Sequence, residues 1–152
     1  MDTAELKRRE REFFDRNAAH TSLKEAAAAA VSDLRALFPH YSWVGIYWLE
    51  GDVLRLGPWS GREATEHVEI TLGKGICGSA AASGRMENVP DVGNDSRYLS
   101  CFLSTRSEIV VPIFSRGRVI GEIDIDSDAA AAFGEEDERF LSLVADWLGA
   151  LA

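Results

Sequence analysis

Reactive sulfur is scarce in this sequence: Cys77 and Cys101 are its only cysteines. Two thiols can form one bridge at most, which excludes the multi-disulfide frameworks of small secreted proteins. The opening residues, MDTAELKRREREFFDR, are charged throughout and carry no apolar core of signal-peptide type. Together these features predict a reducing compartment, and the cytoplasm is the expected location. Long apolar runs are missing too; none approaches the ~18 residues needed to cross a bilayer. Positive charge is in short supply, with 16 Lys and Arg against 25 Asp and Glu and a net charge of −9. That balance excludes nucleic acid and anionic membrane surfaces as main partners. The three histidines, His20, His40 and His67, stand at no ligand spacing, and no C-x-x-C occurs. A metal site is therefore not expected. There is no internal repeat and no linker, and 152 residues suit a single domain, 1–152.

Against these absences, the periodic signals are clear. Residues 1–20 read as a helical extension. A second helix opens at Ser22-Leu-Lys-Glu25, a capping box in which the serine covers a free N–H and the glutamate reaches back. Leu23, Ala27, Ala30, Val31, Leu34, Leu37 and Phe38 then recur at helical spacing until Pro39. The period changes at residues 43–50 and 53–60, two β-rich runs joined by Gly51-Asp52 as a hairpin turn. Residues 67–72 read as another strand. Residues 108–114 and 118–126 form a second hairpin about Ser115-Arg116-Gly117. From Glu135 a last helix presents Phe140, Leu141, Val144, Trp147, Leu148 and Leu151 on one face, with acids 135–138 at its positive end. Antiparallel hairpins flanked by terminal helices predict an α+β fold with the helices on one sheet face. Residues 73–105, rich in glycine and small polar residues, are expected to be irregular with short helical pieces at most. They would cover a pocket on the other face.

Gly73-Lys-Gly75-Ile-Cys-Gly78 matches G-x-G-x-x-G, but the helix and parallel strand of a dinucleotide-binding βαβ unit do not follow it. Its glycines either permit a tight turn or set Cys77 at a helix N-terminus, where backbone N–H groups favour a thiolate. Asp124 and Asp126 alternate with Ile123 and Ile125 and so share one sheet face. An isolated pair of this kind would read as a solvent face. Glu108 opens the neighbouring strand, however, and the hairpin can gather all three acids. Such a nest suits a ligand ammonium group, a protonated acid catalyst, or both. Trp43 and Tyr47 also share a strand face, either as core or as an apolar pocket wall. Cys101 stands in a polar, turn-like segment just before the Glu108 strand, an unusual place for a packing cysteine.

In order and separation, W-V-G-I-Y (43–47), L-G-P-W-S-G (56–61), G-K-G-I-C-G (73–78), S-E-I-V-V-P-I (107–113) and G-E-I-D-I-D-S (121–127) resemble a GAF domain. Cys101 ahead of Ser-Glu, with Asp124 and Asp126, resembles in particular the free methionine-(R)-sulfoxide reductases, over roughly residues 20–151. The resemblance implies a single GAF domain with a loop-covered ligand pocket that needs no cofactor or metal. It implies Cys101 as catalytic nucleophile, Cys77 as second redox cysteine, and Glu108, Asp124 and Asp126 as substrate-binding carboxylates. Asp126 and Glu108 are the candidates for supplying a proton, and Trp43 and Tyr47 would wall the sulfoxide methyl group. The substrate would be free L-methionine-(R)-sulfoxide and the recycling partner a thioredoxin-like dithiol. One departure stands out: many members carry a further cysteine ten positions before Cys77, and here that position is His67. The alternative readings are a GAF sensor that binds a small molecule without chemistry, and a scaffold that forms a homodimer through its outer helices.

Overall fold

The chain was analysed as a computed structural model, which describes residues 1–99 and 102–152. Helix α1 spans Thr3–Asn17 and is capped by Asp2, whose carboxylate accepts the Glu5 N–H at 2.8 Å. Helix α2 spans Leu23–Leu37. Only the serine half of its expected capping box forms, Ser22 Oγ accepting the Glu25 N–H at 3.4 Å. The helix stops at Leu37 because Phe38, which precedes Pro39, is pushed to extended backbone.

Six strands follow in one antiparallel sheet: β1 (Trp43–Glu50), β2 (Val53–Ser60), β3 (Glu69–Thr71), β4 (Glu87–Val89), β5 (Ser107–Ser115) and β6 (Arg118–Ser127). Their order across the sheet is β3-β2-β1-β6-β5-β4. Both predicted hairpins form, β1 with β2 and β5 with β6, and β1 pairs with β6 at the centre. Helix α4 (Glu135–Ala150) closes the chain, and Asp137 in its first turn accepts the Gly134 N–H at 3.0 Å.

Strand alternation divides the interior in two. Val44, Ile46, Ile109, Val111, Ile113, Ile123 and Ile125 face α2 and α4, together with Phe13 of α1. The opposite layer holds Tyr47, Leu54, Ile70 and Val110, packed against Ile76, Cys77, Ala80 and Ala81. The last four belong to α3 (Gly75–Ser83), and here the segment 73–105 proves more regular than expected. It supplies a nine-residue helix and the edge strand β4, which stops at Val89 just before Pro90. A three-residue edge strand has almost no signal of its own, since it exists only through pairing with β5. That pairing is antiparallel, so no βαβ unit forms and the glycine-rich turn is no dinucleotide cradle. Gly78 has a packing reason instead: a Cβ there would stand 2.7 Å from the Thr71 carbonyl oxygen. No helix among the described residues is long and apolar enough to cross a membrane.

Candidate active site

The register of three strands lays out the pocket floor row by row. Trp43 of β1, Asp126 of β6 and Glu108 of β5 form one row. Gly45, Asp124 and Val110 form the next, and Tyr47, Glu122 and Pro112 the third. All these positions project away from the helix-facing isoleucines, toward α3. The solvent-face reading of the acids is excluded. Glu108 is 3 % exposed, Glu122 0 %, and Asp124 and Asp126 1 % each.

Four buried carboxyl groups side by side are electrostatically costly. Both carboxylate oxygens of Glu122 and of Asp126, and Oδ1 of Asp124, have no hydrogen-bond partner among the described residues. Burial pushes the pKa of Asp124 up, and pushes Glu122 and Asp126 well above the ordinary carboxylate range, with repulsion from Asp124 adding to both. The floor is therefore poised to hold protons, or to accept a cation in their place.

Cys77 lies in the first turn of α3, and its Sγ donates toward Glu108 Oε2 at 3.9 Å. The expectation that the helix N-terminus favours a thiolate here is overturned. Burial pushes the Cys77 thiol well up, and Asp124, Glu122, Glu108 and Asp126 reinforce the shift. Four acids at close range outweigh one helix dipole. A cavity of about 10 Å³ is lined by Cys77, Glu108, Asp124, His67, Ile76 and Leu99, among others.

A second small cavity, of about 20 Å³, lies beside Trp43, Phe102, Thr105 and Asp126. Its cation, Arg62, is held at the rim by Asp128 at 2.6 Å. The Trp43 indole N–H donates to the Glu63 carbonyl at 3.2 Å, and its ring stacks on Trp59 and tilts against Phe102. A Cβ on Gly45 or on Gly61 would fall 2.2 Å from this ring. The indole thus lies in a slot that two glycines keep open.

This geometry can be set beside known proteins. The GAF domain family matches residues 22–151. The free methionine-R-sulfoxide reductase of Escherichia coli is 36% identical over 131 residues, 86% of this chain and 78% of that one. The type II free methionine-R-sulfoxide reductase of Thermoplasma acidophilum is 48% identical, with a TM-score of 0.80 over 86% of this chain and 94% of its own. The free methionine-R-sulfoxide reductase of Neisseria meningitidis, solved in complex with its substrate, is 34% identical, with a TM-score of 0.90 over 99% and 90%. The chain belongs to the GAF-domain free methionine-R-sulfoxide reductases.

In this reductase-family domain Glu108, Asp124, Asp126 and Trp43 share one sheet face, and Cys77 of α3 lies against it. Cys101 lies outside the described residues. Tyr47 shares the face but lines neither small cavity. It is wholly buried, and its hydroxyl donates to the His67 carbonyl at 2.7 Å. His67, standing where many members carry a third cysteine, lines the same cavity as Cys77. Sequence reasoning missed Glu122, although the alternation that linked Asp124 to Asp126 extends one step further back to it.

Proposed function

We propose that this domain reduces free L-methionine-(R)-sulfoxide to methionine. The observation that carries the reading is the buried carboxylate floor beside a cysteine and an aromatic slot. An α-ammonium group is a cation that suits such a floor, and a free amino acid presents one next to a sulfoxide side chain whereas a residue inside a peptide chain does not.

Cys101, whose role rests on the family resemblance, attacks the sulfoxide sulfur as a thiolate. A proton from Asp126 or Glu108 goes to the oxygen, the hydroxyl passes from the substrate sulfur to the Cys101 sulfur, and the S–S bond of the adduct breaks with its electron pair going to methionine, leaving Cys101 as sulfenic acid. The raised pKa of Asp126 suits a proton donor, because a buried carboxyl group keeps its proton nearer neutral pH. Cys77 then gives up its proton and condenses with the sulfenic acid to a disulfide, releasing water. A thioredoxin-like dithiol restores both thiols by exchange, and the cytoplasm supplies such dithiols. Trp43 forms the wall beside the sulfoxide methyl, and Tyr47, which lines neither cavity, packs behind the floor. Both cavities are far smaller than an amino acid, so substrate entry requires side chains such as Leu99 and Phe102 to swing away.

The test compares free methionine-(R)-sulfoxide with its N-acetyl derivative, following dithiol consumption and methionine release. The acetylated compound is expected to react ~10³-fold more slowly, since it leaves the buried carboxylates unmatched. Comparable turnover of the two overturns the reading. Binding of the free amino acid without any dithiol consumption would make the domain a sensor instead.

A further inference from the structure

Cys77 of α3, Glu108 of β5 and Asp124 of β6 are brought from three separate elements to one cavity. The Cys77 Sγ and one carboxylate oxygen from each acid all lie within 4.8 Å of one another. Cys77 Sγ stands 3.9 Å from Glu108 Oε2. A tetrahedral zinc ion, with bonds of about 2.3 Å to sulfur and about 2.0 Å to oxygen, holds such atoms about 3.5 Å apart. The donors therefore need to close by about 1.3 Å at most, within reach of side-chain rotation. A second observation is independent of that spacing. Asp124 is almost fully buried and lines the cavity, yet its Oδ1 has no hydrogen-bond partner among the described residues.

The geometry points to a zinc-binding site in which Cys77 Sγ and the carboxylates of Glu108 and Asp124 ligate one Zn²⁺, with the fourth position open to the cavity. A water molecule from that cavity completes the tetrahedron. The three donors span residues 77 to 124, so no local ligand spacing in the sequence marks them. The thiolate selects a borderline-soft ion over magnesium or calcium, which demand six or more oxygens. Two carboxylates and a thiolate exceed the charge of a dication. On binding, the thiol proton passes to solvent and no electron is transferred. Zinc occupies the same carboxylates that an ammonium group would need, so it shuts the pocket while the thiol is reduced.

The experiment is a titration of the reduced, chelator-treated full chain with Co²⁺, followed by absorption. One ion per chain is expected, with a thiolate-to-cobalt charge-transfer band and the visible bands of a four-coordinate ion. One equivalent of Zn²⁺ should abolish both. Cys77→Ser should lose the charge-transfer band and bind zinc at least tenfold more weakly. Asp124→Asn should keep the band but also bind more weakly. Metal-free thermal unfolding checks that each variant is folded, and the wild-type spectrum needs no variant. A wild type without the band at one equivalent overturns the site, as does a band that survives Cys77→Ser. Because the readout is spectroscopic, zinc binding without sulfoxide reduction would sink the proposed reaction and leave the site standing; the reverse result would do the opposite.

Discussion

Glu122 is fully buried, and neither of its carboxylate oxygens has a hydrogen-bond partner among the described residues. Its folded pKa lies well above the unfolded value, through burial first and Asp124 second. The carboxyl group therefore contributes stability that is fully present below the unfolded pKa and lost as pH rises through the folded one. Glu122→Met, close in volume and free of charge, should stabilise the domain by about 1–3 kcal/mol at neutral pH. The gain should shrink toward pH 4, as followed by urea unfolding at several pH values. A loss at neutral pH would mean that Glu122 has a structural partner. Asp126→Asn should behave differently: folding is retained, while methionine release falls sharply. Cys77→Ser should still release about one methionine per chain in a single turnover, because in the proposed reaction Cys101 is the only thiol that sulfenic acid formation requires. Its steady turnover with thioredoxin should collapse; a wild-type rate would show that the intermediate is reduced from outside. These residues were legible in the sequence to different degrees. Asp124 and Asp126 stand between isoleucines, so alternation exposed them. Glu122 follows Gly121, where the apolar run is broken, and the same alternation passed unnoticed.

At the level of elements, period-2 runs made both hairpins readable, because each strand has one face on the isoleucine core. Helix α3 and strand β4 were hidden for the opposite reason. Each is short, and each is defined by what it packs or pairs with. The same holds for the Cys77–Glu108–Asp124 cluster, which no local spacing could reveal. Strand β1 supports a sharper prediction. Its Gly45 leaves room for the Trp43 ring between β1 and Gly61. Gly45→Ala must displace that indole, at an overpacking cost of about 1–3 kcal/mol. Tryptophan fluorescence should shift and KM for the sulfoxide should rise more than kcat falls. An unchanged KM with a shifted spectrum would remove Trp43 from the substrate wall.

Across the whole molecule, two buried acidic sites respond to pH in opposite directions. On the helix side Asp137 accepts hydrogen bonds from His40 Nε2 at 2.8 Å and Tyr41 at 2.6 Å, tying the end of α2 to α4. Burial disfavours its charge, but His40 and Tyr41 outweigh that and hold its pKa below the usual value. Its contribution is present above the unfolded pKa and lost as pH falls through the folded one. The pocket floor, with raised values at Glu122, Asp124 and Asp126, loses stability as pH rises instead. The net charge of −9 pushes in the same direction. The ligand-free domain should therefore be most stable at mildly acidic pH. Methionine, whose ammonium group matches the floor, should move that optimum toward neutrality. Thermal unfolding across pH with and without methionine checks this, and a ligand-independent optimum would show that the floor does not take the ammonium group.

Strand β6 carries Ile123 and Ile125 to one side and Glu122, Asp124 and Asp126 to the other. Sliding it one position along β1 and β5 would exchange these sets. The isoleucines would lose the helices, and carboxyl groups would enter an oily layer several kcal/mol hostile to each of them. The charged side of the strand thus acts as a reading frame for assembly. A single-residue insertion or deletion within β6 should prevent folding altogether, whereas a two-residue change would preserve which side chains meet the core. The residues assigned here to sulfoxide chemistry would then also proofread the sheet, before any substrate is met.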